Sequence, residues 1–128
     1  MVEIFVDGGY HPKYRQGAYA YIIKDGNQIV EKSGYISVLN SREAELMAAE
    51  LAIRATKDTH IELYTDYLGL IDGFKTKLLT KEFEGILKAS KNKKIVFYHM
   101  QGHRDNNAVI SCDKQINQLW KQLKKSRV

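Results

Sequence analysis

Apolar residues alternate through the first 36 positions and recur at helical spacing soon afterwards, and that switch of period admits few architectures. Val2, Ile4 and Val6 fall on one face of a predicted strand, with Phe5 and Asp7 on the other, and Gly8-Gly9 is expected to end it. Residues Gly17 to Ile23 are β-prone, Lys24-Asp25-Gly26-Asn27 reads as a turn, and Gln28 to Ile36 is again extended. Three antiparallel strands in a meander follow. Asn40 with Glu43 then resembles a capping box ahead of an Ala/Leu/Glu-rich helix over Arg42 to Thr56. Ile61 to Asp66 reads as a fourth strand, Leu68 to Phe74 as a short helix, Lys81 to Ala89 as a helix capped by Thr80, and Lys94 to Met100 as a fifth strand. From Asn107 a last helix carries a stripe of Val109, Cys112, Ile116, Leu119, Trp120 and Leu123. The order β-β-β-α-β-α-β-α predicts an α/β fold: a five-stranded mixed sheet, antiparallel through three strands and parallel through two, flanked by helices.

Composition narrows the class. A chain of 128 residues with 44% hydrophobic and 27% charged residues suits one folded domain, 1–128, and argues against disorder. The apolar runs are too short to span a bilayer, and the acid-containing start does not resemble a signal peptide, so no membrane partner and a cytoplasmic setting are expected. The single Cys112 excludes an internal disulfide and a cysteine-based zinc site. The net charge of +5 is unevenly spread. Residues Lys75 to Lys94 hold seven Lys and two acids, and Lys114 to Val128 hold five basic residues and no acid, which leaves an acidic remainder. Such a body suits a polyanionic partner gripped beside a cluster of carboxylates; solvated Lys-rich helix faces are the plainer alternative.

Four acids break the local patterns. Asp7 and Asp66 each close a strand on the face where an apolar residue is expected, and parallel neighbours would bring them together at the carboxyl edge of the sheet. Glu45 shares its helix face with Ala48, Ala49 and Ala52, small residues that let a helix lie close to a sheet, whereas Glu43 and Glu50 share a solvated face on which Glu50 can pair with Arg54. Asp113 interrupts the apolar stripe of the last helix. Singly each could be a cap, a turn residue or part of an ion pair. Together they would repel unless cations neutralised them, and hard oxygen donors select Mg²⁺ or Mn²⁺. Two such ions clamping attacking and leaving oxygens are suited to phosphodiester hydrolysis.

With these residues in place, the chain resembles the ribonuclease H family, type 1, over nearly its whole length. Ile4-Phe5-Val6-Asp7-Gly8-Gly9 resembles the family's first strand and its Asp-Gly-Ser motif, with Gly9 at the serine position. Glu45-Leu46-Met47-Ala48-Ala49 is similar to the helix bearing the family's Glu, and Tyr64-Thr65-Asp66 to its Thr-Asp-Ser. Gln101-Gly102-His103, with Asp113 ten residues on, resembles the loop and last helix that carry the family's His and final Asp. The resemblance implies a ribonuclease H-like fold and a metal-dependent endoribonuclease that cuts the RNA strand of an RNA/DNA hybrid with two Mg²⁺ or Mn²⁺, leaving 5′-phosphate and 3′-hydroxyl ends. It implies that Asp7 bridges both metals, that Asp113 completes one site, that Glu45 and Asp66 hold the other, and that His103 assists proton transfer or product release. A monomer is expected. Gly8, Gly9, Asn40, Ser41, Arg42, Lys75 and Lys77 are the expected nucleic-acid contacts.

The chain also departs from that family's pattern. Where members place two Asn before the Glu to read 2′-hydroxyls, this chain has Ser41 and Arg42, with Asn40 one step early; where a Gln commonly follows Asp-Ser, it has Leu68. The Asn of the loop after the His is displaced, with Asn106 and Asn107 as substitutes. The basic handle helix that many bacterial members insert after the fourth strand is missing, and the seven lysines of Lys75–Lys94 are expected to replace part of its grip. Because the 2′-hydroxyl is what distinguishes RNA from DNA, a DNA nuclease or junction resolvase of the same superfamily remains open. So does a non-catalytic nucleic-acid-binding module. Tyr10, Tyr14 and Tyr67 are candidates for stacking near the site, as well as for ordinary packing.

Overall fold

A computed structural model of the chain describes residues 1–75, 83–100 and 107–126. The strands are β1 (Val2–His11), β2 (Gln16–Asp25), β3 (Gln28–Ile36), β4 (His60–Thr65) and β5 (Lys94–His99). The helices are α1 (Ser41–Ala55), α2 (Leu68–Lys75), α3 (Glu84–Ala89) and α4 (Asn107–Ser126). The sheet order is β3-β2-β1-β4-β5, with β1–β2 and β2–β3 antiparallel and β1–β4 and β4–β5 parallel. That is the mixed sheet the hydrophobic pattern predicts. Gly26 at φ +61° turns the β2–β3 hairpin, a conformation that glycine adopts without steric cost. The expected helix start at Lys81 and its Thr80 cap lie outside the described residues, as do His103, Asn106 and Lys77.

Two helices cover the two faces. The face bearing Val2, Ile4 and Val6 packs on Leu46, Ala48, Ala49, Ala52 and Ile53 of α1, with Leu70 and Ile86 completing that core. The opposite face sets Phe5, Ala18, Ala20 and Ile22 against Ala108, Cys112 and Ile116 of α4. The alanines that share a face with Glu45 are fully buried, so α1 does lie close on the sheet, and Glu45 is carried in with them. Asn40 caps α1 by accepting the Glu43 N–H at 2.8 Å, while Glu43 accepts the Leu39 N–H at 2.7 Å. This is the expected capping box, displaced by one residue on its return bond.

The strand does not stop at Gly8-Gly9. β1 runs on to His11, and both glycines stay paired, Gly8 opposite Tyr19 and Gly9 opposite Ala18. Close approach, not a turn, explains them. A Cβ on Gly8 would stand 2.4 Å from the backbone carbonyl carbon and oxygen of Ala44, and one on Gly9 would stand 3.2 Å from Trp120 Cζ2. Gly8→Ala should therefore push α1 off the sheet. Backbone cannot yield as a flexible side chain does, so the expected loss is about 3 kcal/mol, the upper end for overpacking. Thermal unfolding checks this, and a melting temperature equal to that of the native chain would refute the packing account.

Candidate metal centre

The parallel ladder between β1 and β4 ends at the pair Phe5–Tyr64. Asp7 and Asp66 each stand two residues beyond it, so the register sets them opposite one another at the carboxyl edge, the usual place for ligands of open α/β sheets. Local bonds fix the end of β4. Thr65 Oγ1 accepts the Tyr67 N–H at 3.1 Å, and His99 Nε2 donates to the Asp66 carbonyl at 3.2 Å. His99, a residue with no functional reading from sequence, thus serves to hold the Asp66 backbone.

Glu45 reaches the same edge from α1. Its Oε1 accepts the Gly8 N–H at 3.0 Å, across the gap that the missing Gly8 side chain leaves open. One carboxylate oxygen from each of Asp7, Glu45 and Asp66 lies within 4.8 Å of the other two. Glu45 Oε2 is buried, and among the described residues nothing donates to it. Burial, and after it the charges of Asp7 and Asp66, push the Glu45 carboxyl up to about 10, against a smaller lowering by the Gly8 N–H. Three hard oxygen donors and an unpartnered buried oxygen fit a divalent cation, which would replace the repulsion by attraction.

A cleft of about 280 Å³ opens beside this group, lined by Ser41, Arg42, Glu45, Asp66 and Tyr67. Ser41 and Arg42 are exposed there, whereas the Asn40 side-chain oxygen is committed to the helix cap. Tyr67, weighed from sequence as a stacking residue, does line the cleft.

Asp113 lies on α4, directly after Cys112. The Cys112 thiol is fully buried and donates to the Phe5 carbonyl at 3.7 Å, so this turn of α4 is fastened two residues from Asp7. The Asp113 carboxylate is not within the 4.8 Å group found among the described residues, and it accepts from Asn117 Nδ2 at 3.3 Å. Burial pushes the Cys112 thiol up to about 12, with the charges of Asp7, Glu31 and Asp113 adding to it, so the sulfur remains protonated and offers no thiolate ligand.

The expected lysine grip divides. Lys93 Nζ donates to the carbonyls of Ile53 and Thr56 at 2.9 and 2.7 Å, satisfying the C-terminus of α1, and Lys88 pairs with Glu84 at 3.0 Å. These two have work within the fold. His11 has no functional reading from sequence and Trp120 reads only as part of the apolar stripe of α4; both line a further cleft, with Tyr14 and three lysines. The signal was present as aromatic and basic residues at 10–14 and 120–125, but nothing in the sequence joins segments a hundred residues apart.

No helix among the described residues is long and apolar enough to cross a membrane. The family model for RNase H matches residues 1–124. The Ribonuclease H of Prosthecochloris aestuarii is 27% identical over 131 residues, taking in 88% of this chain and 90% of that protein. The Ribonuclease H of Chlorobaculum parvum is 25% identical over 131 residues, with the same shares of 88% and 90%. That of Acetivibrio thermocellus is 26% identical over 132 residues, again covering 88% of this chain and 90% of the relative. The mixed sheet, the acidic edge and a match to all but the last four of 128 residues place the chain in the ribonuclease H family.

Proposed function

We propose that the chain is an endoribonuclease that hydrolyses the RNA strand of RNA/DNA hybrids with two Mg²⁺, Mn²⁺ serving as a substitute, and leaves 5′-phosphate and 3′-hydroxyl ends. One observation carries this reading: Asp7, Glu45 and Asp66 converge within 4.8 Å while, among the described residues, nothing donates to Glu45 Oε2. A protein that only bound phosphates would gain nothing from such a cluster, because it repels them. When bound, the metal ions supply Lewis-acid stabilisation of the attacking and leaving oxygens. Asp7 would bridge them, Glu45 and Asp66 would hold one and Asp113 the other. Gly8 orients Glu45 through its N–H, and Arg42 at the rim of the cleft offers a guanidinium to the phosphate backbone. His103, by resemblance, would take or return a proton.

A second reading has its own observation. Ser41 and Arg42 present a hydroxyl and a guanidinium to the cleft instead of two carboxamides. A guanidinium addresses phosphate, which RNA and DNA share, so the same centre could cut DNA. Incubating the native chain with labelled hybrid, double-stranded RNA and duplex or branched DNA, each with Mg²⁺ or Mn²⁺, separates the readings. Preferential cutting of the hybrid is the expected result. Faster cutting of DNA would transfer the chain to the second reading, and no cutting of any substrate would sink both.

A further inference from the structure

We infer that the cleft between the β1–β2 turn and α4 is a second nucleic-acid subsite, which takes a single-stranded segment running on from the strand held at the carboxylates. The inference rests on the proposed function and extends it to a site beyond the metal centre. The cleft has a volume of about 240 Å³ and is lined by His11, Lys13, Tyr14, Trp120, Lys121 and Lys124. Among the described residues three cations and no carboxylate line it, whereas Glu45 and Asp66 line the cleft at the carboxyl edge of the sheet. The charge therefore suits a phosphate backbone.

The aromatic groups are already arranged for a ring or sugar. His11 lies against Tyr14, ring centroids 4.7 Å apart, and meets Trp120 edge-on at 5.5 Å. Lys13 Nζ sits 5.6 Å from the centre of the Tyr14 ring. Tyr14 and Trp120 are partly exposed, so each keeps surface for stacking on an unpaired base. His11 Nδ1 is buried, and among the described residues it has no hydrogen-bond partner. A buried polar atom without a partner costs free energy, which marks this corner of the fold as one not optimised for packing alone.

Position links the two clefts. Gly9, two residues past Asp7, lets the Trp120 ring lie directly on β1. His11 is four strand residues from Asp7, about 13 Å at ~3.3 Å per residue. That distance corresponds to about four stacked nucleotides at ~3.4 Å each, and fewer if the backbone is drawn out. The part-exposed rings of Tyr14 and Trp120 can stack only on a base whose face is free, so the occupant is an unpaired strand.

Trp120 is the only tryptophan in the chain, so its emission reports on this cleft alone. The native chain, in Mg²⁺ buffer, is titrated with a twelve-nucleotide oligothymidylate, which contains no hybrid. Saturable quenching is expected. Lys121→Ala with Lys124→Ala should weaken that binding about tenfold in low salt and reduce the slope of log K against log[salt] by about 1.4, from ~0.7 per phosphate contact on a single strand. Both lysines are exposed, so the variant should fold, and circular dichroism verifies it. An unquenched Trp120 or an unchanged salt slope would overturn the subsite. Equal quenching by polyglutamate of the same charge would overturn its assignment to nucleic acid. Hybrid cleavage without quenching removes the subsite and keeps the proposed function; quenching without cleavage of any substrate does the reverse.

Discussion

Asp66→Asn is expected to fold as well as the native chain and to cut hybrid about 10²- to 10³-fold more slowly, the scale on which removal of one transition-state-stabilising group is felt. The amide keeps the shape of the carboxylate but removes an anionic oxygen from the group within 4.8 Å. It also removes one of the two neighbouring charges that raise the Glu45 carboxyl, so the metal-free fold loses repulsion and should melt no lower than the native one. The loss should fall on kcat and leave KM nearly unchanged, because Arg42 and the lysines proposed to hold phosphates are untouched. Single-turnover cleavage of a labelled hybrid at saturating enzyme measures the rate, its dependence on substrate concentration in multiple turnover measures KM, and thermal unfolding in EDTA measures stability. Activity within about threefold of native would show that the carboxylate edge is not where the reaction occurs. A large fall in melting temperature would instead make Asp66 a structural residue at the end of β4.

The centre was legible in the sequence because misplaced charge is a conspicuous signal. Asp7, Glu45 and Asp66 each violate a period that their neighbours obey, and a short chain offers few ways to bury such charges except together. Gly8-Gly9 was legible as a special position but not as the right one. A glycine pair marks a turn in most strand patterns, and only the packing of Ala44 over β1 shows that the missing Cβ makes room for a helix. The lysines of 75–94 show a different limit. A count of charge cannot see that Lys93 ends a helix or that Lys88 is paired with Glu84, since partners are set by tertiary neighbours. The His11–Trp120 contact was illegible for the same reason: it depends on the register of α4 across the sheet. Asp113, readable as an intruder in an apolar stripe, follows a Cys112 that is fastened to Phe5 two residues from Asp7, but its carboxylate accepts from Asn117 and is outside the group formed by Asp7, Glu45 and Asp66.

The metal-free protein should lose stability as pH rises, and a divalent cation should reverse the trend. Glu45 has its carboxyl raised from 4.5 to about 10 by burial and by Asp7 and Asp66. Between those two values the folded chain holds a proton that the unfolded chain has released, so the unfolded state binds fewer protons and stability falls with increasing pH. The contribution is intact below 4.5, declines throughout the interval and is exhausted near 10. Its slope is at most about 1.4 kcal/mol per pH unit for one proton, shared among the coupled acids. A bound Mg²⁺ or Mn²⁺ takes the place of that proton and competes with it, so the added stability should grow with pH and reach about 2.7 kcal/mol at a hundredfold excess over Kd. Glu45→Gln supplies the control, because an amide does not titrate. In EDTA it should melt above the native chain at pH 9 and show a flatter pH profile, and its gain from Mg²⁺ should shrink. Thermal unfolding from pH 5 to 9, with and without the ion, reads all three quantities at once. Parallel profiles for native and variant would mean that Glu45 is not the buried proton holder, and a cation effect independent of pH would place the ion away from the carboxylate edge.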